Sequence, residues 1–593
     1  MATVRFRPKL RLVLVMIGLG AGMASIAGRL VWVQGLASSR YAELAAEQRL
    51  RHLELPPQRG SIYDRNGNEL AISMDVKTVF ANPRFVTDPA AAAAALAPVL
   101  DQKPSTLGKK LKHDSGFVYL ARKVHPDVAE KVDKLDITGV DTVNESKRFY
   151  PGGTLASHVV GFVGIDNQGL GGLEHHFDEL LRGKPGEVLM ERDPQGRPIP
   201  SGESRFVAPT AGADVVLTID REMQFAAQTT LRRTVERWGA KGGTAIVMRP
   251  GNGEVLALAN YPTFDPNSPT KSPVGARRNR AVTDVYEPGS TSKVITAAAA
   301  LETNVVRPAD VINVPDRIGL KGQVYHDHNT HPPVDLTFTQ VIQQSSNVGT
   351  IKVAMNLGPE RLYDYMSRFG YGSVTGLEFP GETAGLLPRV EEWWDSSLPT
   401  LAIGQGVAVT PMQIVRVFAT LANQGVSVDP KLVMSTIDSS GNEKPVAEKE
   451  TKRVINAATA ETLTRLLVGV TEIGTGRNAL IPGYQVAGKT GSAEKVVEGQ
   501  PGYSGYVSSF IGFAPAGDPR LVVGVVLDDP RPIWGGITAA PAFREIMQFG
   551  LRHLGIGPGP VLQPEGAPLP APVQSGGVPP PTTDGVASGT ATD

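Results

Sequence analysis

Glu287-Pro288-Gly289-Ser290-Thr291-Ser292-Lys293-Val294-Ile295-Thr296-Ala297-Ala298-Ala299-Ala300-Leu301-Glu302 is the stretch on which the reading turns. Pro288-Gly289 breaks the chain, and the alanine-rich run that follows is a strong helix former. A helix opening at Ser290 puts Ser290 and Lys293 on one face of its first turn, because residues three apart on a helix are neighbours. The free backbone N–H groups of such a turn can stabilise an oxyanion. Two other Ser-x-x-Lys spacings occur, Ser268/Lys271 and Ser492/Lys495. Ser268 precedes Pro269 in a proline-rich loop, which gives no helix.

Composition explains why a serine is the residue to look for. None of the 593 residues is cysteine, so disulfides, thiolate metal sites and cysteine nucleophiles are excluded. The 59 basic and 59 acidic residues balance, which removes the field that binding to nucleic acid needs. Any nucleophile must be an oxygen or an amine.

Downstream, Ser345-Ser346-Asn347 follows the amphipathic Phe338–Gln344 and offers a hydroxyl with an amide two residues on. Ser440-Gly441-Asn442 has the same spacing, but it lies among polar turn residues. Lys489-Thr490-Gly491-Ser492 holds the only Lys-Thr-Gly of the chain and follows the strand-like Tyr484–Ala487. Lys489 and Thr490 offer a cation and a hydroxyl for a carboxylate, and Gly491 offers close approach for a substrate backbone.

The flanks differ in texture. Residues 1–11 carry Arg5, Arg7, Lys9 and Arg11 and no acid, and residues 12–36 are mostly apolar and carry no charge apart from Arg29. That is long enough to span a membrane, with the basic end cytoplasmic. A cleavable signal peptide is the rival reading, and the length of the apolar run disfavours it. Residues 40–53 read as a helix leaving the membrane. Residues 37–213 are short strands and turns, with a hairpin signal at Asn66-Gly67. Residues 214–556 mix strands and helices: Val215–Ile219 as a strand, a helix capped by Asp220 up to Trp238, and a hairpin around Pro250–Gly253. Residues 557–593 hold nine prolines and no aromatic residue, which predicts a loose tail.

Ser290-x-x-Lys293, Ser345-x-Asn347 and Lys489-Thr490-Gly491, in this order, resemble the active site of penicillin-binding proteins and serine β-lactamases. Arg59-Gly60-Ser61-Ile62-Tyr63-Asp64-Arg65-Asn66-Gly67, Arg148-Phe149-Tyr150-Pro151-Gly152-Gly153 and Gly169-Leu170-Gly171-Gly172-Leu173-Glu174 resemble the pedestal motifs of class B penicillin-binding proteins. Thr283–Thr291 and Asn260–Asn267 look more like the septal, division-specific members (penicillin-binding protein 3 type) than the elongation members.

The resemblance implies an α+β fold with a single transmembrane helix, an elongated mostly-β pedestal of the dimerisation type, and a transpeptidase domain whose central antiparallel sheet is flanked by helices. Its activity would be a D,D-transpeptidase acting on the D-Ala-D-Ala of peptidoglycan stem peptides, with diaminopimelate as acceptor and β-lactams as covalent inhibitors. By the same resemblance Ser290 is the nucleophile, Lys293 its base and Ser345 a proton shuttle. Asn347 orients Lys293. Lys489, Thr490 and Ser492 hold the substrate carboxylate, Gly491 lets the substrate backbone lie close, and the N–H groups of Ser290 and Ser492 form the oxyanion hole. The family's partner would be a SEDS-type glycosyltransferase with other division membrane proteins, and the location the inner membrane with the catalytic part periplasmic.

That chemistry uses no cofactor and no metal. His326-Asp327-His328 with His331 has a zinc-like look but is expected to be a polar loop. A β-lactamase is disfavoured because no Glu-x-x-x-Asn lies between Asn347 and Lys489. An elongation-specific class B transpeptidase and a non-catalytic division scaffold are the rival readings of the same motifs.

Overall fold

The computed structural model describes residues 8–38, 40, 50–191, 204–320, 322–496 and 502–563. The expected cytoplasmic stub lies largely outside these residues, as does the tail beyond 563.

Helix α1 (Pro8–Val31) continues through a π-helical turn at Trp32–Leu36, and the apolar stretch Lys9–Leu36 spans 28 residues with none of its most apolar window buried. Leu, Val and Ile side chains exposed along a whole helix are stable only against an apolar solvent.

Strands β1 (Leu50–Leu55), β2 (Ile62–Tyr63), β3 (Glu69–Ala81), β4 (Val118–Val124), β5 (Val140–Phe149), β6 (Gly186–Glu191) and β7 (Ser204–Val207) build the pedestal. Residues 41–49 of the expected post-membrane helix lie outside the described residues, but Leu50–Leu53 is strand. It pairs antiparallel with β6, Leu50 opposite Glu191, and cross-strand pairing overrides the local helical spacing. The three pedestal motifs meet on one carboxylate. Arg59 Nε donates to Glu174 Oε2 at 2.7 Å, Arg148 Nε to Glu174 Oε1 at 2.6 Å and Tyr150 Oη to Glu174 Oε1 at 3.3 Å. All three charged side chains are no more than 2% exposed.

Beyond the pedestal lie β8 (Asp214–Leu217), α2 (Arg221–Trp238), β9 (Gly242–Met248), β10 (Val255–Tyr261), α3 (Lys293–Glu302), α4 (Phe338–Gln344), α5 (Asn347–Leu357), α6 (Pro411–Ala422), β11 (Val433–Ile437), α7 (Ala457–Glu472), β12 (Ala487–Val496), β13 (Tyr503–Ala514), β14 (Leu521–Asp528) and α8 (Gly535–His553). A five-stranded antiparallel sheet in the order β10-β9-β14-β13-β12 is the centre. Strand alternation sends Ala245 and Val247 to the face covered by α2 and α8. Ile246 and Met248 go to the face shared with α3 and α6. Asp220 caps α2 through Met223 N at 3.0 Å.

Two boundaries differ from the sequence expectation. β8 pairs in parallel with β2 and antiparallel with β11, so one sheet runs from the pedestal across residue 214 into the second part of the chain. The unpaired edge of β2 takes the first strand that reaches it. Residues 557–563 are packed rather than loose. The Gln485 side chain accepts from Leu562 N at 2.6 Å and donates to Leu562 O at 3.0 Å, and Tyr484 Oη donates to Ile556 O at 2.6 Å.

Candidate active site

Ser290 sits in a 3-10 turn, Gly289–Thr291, and α3 proper begins at Lys293. The helix thus starts three residues later than its composition suggests. The turn is pinned by Thr291 Oγ1 donating to Pro288 O at 2.7 Å and by Gly289 N donating to Gly404 O at 2.9 Å. Gly289 has φ +53°, and a Cβ there would lie 2.9 Å from the Ala493 methyl. Only glycine fits both the left-handed backbone and the strand pressed against it. Ser290 is half-buried.

Lys293 is fully buried in the first turn of α3, where its ammonium donates to Ser345 O at 2.6 Å and to Asn347 Oδ1 at 2.6 Å, and lies 3.5 Å from Ser345 Oγ. Lys489, also fully buried, reaches the same hydroxyl from the sheet side at 2.8 Å. Two buried amines therefore share one serine. Burial pushes Lys293 down from 10.5 to about 7, with the charge of Asp327 opposing the fall. Burial and the Lys293 charge push Lys489 down as well. Desolvation disfavours an ammonium, so Lys293 is able to act as a base near neutrality.

Ser345 ends α4 in the left-handed region, φ +61°, and Ser346 caps α5 by accepting from Gly349 N at 2.9 Å. This tight break between two helices aims Ser345 Oγ and the Asn347 amide at the lysines. Asn347 Nδ2 donates to His326 O at 2.9 Å, so both ends of its amide are engaged.

Lys-Thr-Gly lies inside β12, not at the end of a strand closing at Ala487, because pairing with β13 from Ala487 to Val496 fixes the register. β12 is the edge strand of the sheet, leaving backbone groups free on its outer side for an extended ligand to pair with. Lys489 and Gly491 share one face. A Cβ on Gly491 would sit 2.3 Å from Ser509 Oγ and 3.0 Å from Thr291 Cγ2, so this glycine admits the Ser290 turn itself. Thr490 and Ser492 occupy the alternate positions. Thr490 Oγ1 bonds Thr475 Oγ1 at 2.8 Å and Ser492 Oγ accepts from Gly535 N at 3.0 Å, so neither hydroxyl joins the lysine network.

Two acidic groups outside the three motifs border this site. Glu287 accepts from Gly406 N at 3.0 Å and Tyr503 Oη at 3.1 Å, tying the segment before Ser290 to β13. Asp327, from the expected polar loop, accepts from Ser346 Oγ at 2.7 Å and from the backbone N–H groups of Asn347 and Val348. An acid between two histidines is the only signal of it that the sequence offers. Trp534 packs edge-on against His328, ring centroids 4.0 Å apart, whereas Trp394 is exposed. Arg278 and Arg280 both pair with Asp284.

Residues 243–548 match the penicillin-binding protein transpeptidase domain, and residues 54–217 match the penicillin-binding protein dimerisation domain. The peptidoglycan D,D-transpeptidase FtsI of Escherichia coli is 36% identical over 549 residues, covering 90% of this chain and 90% of the relative. Stage V sporulation protein D of Bacillus subtilis is 36% identical over 555 residues, covering 89% and 83%. The crystal structure of penicillin-binding protein 3 from Mycobacterium tuberculosis, complexed with aztreonam, superposes with a TM-score of 0.68 at 31% identity, covering 87% of this chain and 100% of that one. With both domains matched in order, the chain belongs to the class B penicillin-binding proteins and is a serine-type peptidoglycan D,D-transpeptidase.

Proposed function

We propose that the chain cross-links peptidoglycan stem peptides at the division septum, with Ser290 as nucleophile. Ser290 Oγ attacks the carbonyl carbon of the penultimate D-alanine, its proton passes to Lys293, and the C–N bond to the terminal D-alanine breaks. Ser345 hands a proton to the leaving nitrogen. The N–H groups of Ser290 and Ser492 hold the oxyanion, and Asn347 keeps Lys293 aimed. Lys489, Thr490 and Ser492 receive the terminal carboxylate, the two hydroxyls turning from Thr475 and Gly535 to do so, while Gly491 lets the substrate backbone lie close. The diaminopimelate amine of a second stem peptide then attacks the acyl-enzyme and completes the cross-link. A β-lactam acylates the same serine, as the aztreonam complex of the mycobacterial relative suggests.

The observation that carries this reading is the convergence of two buried lysines on Ser345 Oγ beside the Ser290 turn. A lysine kept near neutrality at no catalytic gain is a costly thing to bury.

In this reading residues 1–11 are a cytoplasmic stub, 12–36 the inner-membrane anchor, 37–213 the pedestal, 214–556 the periplasmic transpeptidase domain and 557–593 the tail, whose first residues pack on that domain. A polytopic SEDS-type glycosyltransferase contacts the anchor and pedestal. The resemblance of Thr283–Thr291 and Asn260–Asn267 to division-specific members supports the septal assignment.

A fluorescent fusion followed in dividing cells tests that assignment. It is expected at mid-cell during constriction, and uniform sidewall placement overturns the septal role. Purified protein given a stem pentapeptide is expected to release D-alanine in proportion to cross-linked product. Release that survives Ser290→Ala overturns the assignment of the nucleophile.

A further inference from the structure

We propose that Asp327 is a positioning residue of the transpeptidase centre: its carboxylate, laid across the N-terminus of α5, holds the Ser345–Asn347 turn in register with the two lysines and supplies a counter-charge to Lys293. This rests on the function proposed above.

The geometry is specific. α5 begins with backbone N–H groups that have no partner inside the helix. Asp327 Oδ1 accepts from Asn347 N and, at 3.0 Å, from Val348 N, while Ser346 Oγ takes the next one, Gly349 N, at 2.9 Å. Ser346 Oγ in turn donates to Asp327 Oδ2 at 2.7 Å, so the carboxylate also fixes the cap that serves the helix. An anion is favoured at a helix N-terminus, and here it is only 9% exposed, which strengthens its field. Asp327 follows the hairpin strands Arg317–Leu320 and Gln323–His326, and His326 O accepts from Asn347 Nδ2, so the hairpin end and the helix start are stitched together at several atoms.

What is held is a strained position. Ser345 is a non-glycine residue at φ +61°, a conformation kept only where the surroundings impose it. Its two neighbours on the α5 side, Ser346 and Asn347, are the residues that Asp327 grips. If the grip goes, the Ser345 hydroxyl is free to leave the space between Lys293 and Lys489, and the Asn347 amide is free to leave Lys293.

Charge gives the second role. The titratable groups around Lys293 are Lys489 from β12 and Asp327 and His328 from the loop after the hairpin, with His331 Nε2 from the same loop 3.4 Å from Asp327 Oδ2; α4 and α5 present Ser345 and Asn347, which are neutral. Among the described residues Asp327 is the acid that acts on Lys293, and it opposes the fall caused by burial. Removing its charge therefore lowers the pH at which Lys293 becomes neutral. If Lys293 must be neutral to accept the Ser290 proton, the acid limb of the acylation profile moves to lower pH.

The test is the rate of acylation by a fluorescent penicillin from about pH 5 to 9, measured on the full chain, on Asp327→Asn and on Asp327→Ala. Asp327→Asn keeps an acceptor oxygen and loses the charge. It is expected to move the acid limb down by about half a unit or more. Asp335→Asn, which removes an exposed carboxylate from the neighbouring strand, is expected to leave the profile where it was. Asp327→Ala loses the grip as well and is expected to acylate about tenfold or more slowly at every pH, since small displacements of reacting groups carry such costs. A merely structural aspartate lowers stability without moving the limb. A profile for Asp327→Asn that superimposes on that of the unmodified chain overturns the inference alone. An unmodified chain that takes no label at any pH overturns the reading on which the inference rests, and the inference with it.

Discussion

Lys293→Ala is expected to slow the acylation of Ser290 by penicillin by about a thousandfold while leaving the chain folded, because general base catalysis by a positioned side chain contributes roughly 10²–10⁴ in rate. The unmodified protein is expected to show an acylation rate that rises with pH through about 7 and then levels off. The sign follows from the direction of the shift. Burial lowers Lys293 from 10.5 to about 7, so the amine is charged and unable to take a proton below that pH and neutral above it. A lysine at its ordinary value would leave the rate climbing well into the alkaline range. Lys293→Ala removes the limb along with most of the rate. Melting followed in parallel separates loss of a base from loss of the fold, and the alanine variant has one buried cation fewer to desolvate beside Lys489. An alanine variant that acylates within a few-fold of the unmodified rate, with the same pH dependence, assigns the base elsewhere.

Glu174→Ala is expected to produce the largest loss of stability in the pedestal. Glu174 is fully buried and bonded to Arg59, Arg148 and Tyr150. Without it Arg59 retains Asp178 at 2.7 Å and the Glu174 backbone carbonyl at 2.8 Å. Arg148 retains Gly60 O at 2.7 Å and Ser73 Oγ at 3.4 Å, no carboxylate among them. Stranding a buried guanidinium costs about 3–5 kcal/mol. In a domain of this size that corresponds to a fall in Tm of roughly ten degrees, measurable by calorimetry. Glu130→Ala removes an exposed, helical ion pair to Lys134 and is expected to leave the melting temperature almost unchanged, because water screens such surface pairs. Equal melting of the two variants contradicts the account of the pedestal.

The contrast between those two carboxylates shows what a sequence makes legible. Arg59, Arg148 and Glu174 stand in recognisable motifs, but that all three converge on one buried atom pair is a fact of three-dimensional closure across more than a hundred residues. Ser290 and Lys293 are readable because their spacing is local and a proline-glycine break precedes a helix former. The three motifs are recognisable as a set, yet the directions of Thr490 and Ser492 are not. Strand alternation assigns them to the face away from Lys489 only once β12 is known to begin at Ala487, and that start is dictated by β13.

The departures from expectation have similar causes. Leu50–Leu53 carries helical spacing and becomes strand because β6 lies beside it. Residues 557–563 have a tail's composition but are held by Gln485, whose amide reaches both backbone groups of Leu562. The pedestal's sheet admits β8 and β11 because hydrogen-bonding edges pair without regard to where composition changes. Asp327 reads as part of a polar loop, since nothing local in His326-Asp327-His328 says that a helix start twenty residues on will close over it.

Labelling with a fluorescent penicillin, resolved on a denaturing gel, tests the central claim most directly. The account predicts one fluorescent band at the full-length chain, lost on prior incubation with unlabelled penicillin and absent from Ser290→Ala. A band that persists in Ser290→Ala, or an unmodified chain that takes no label while still folded, contradicts it.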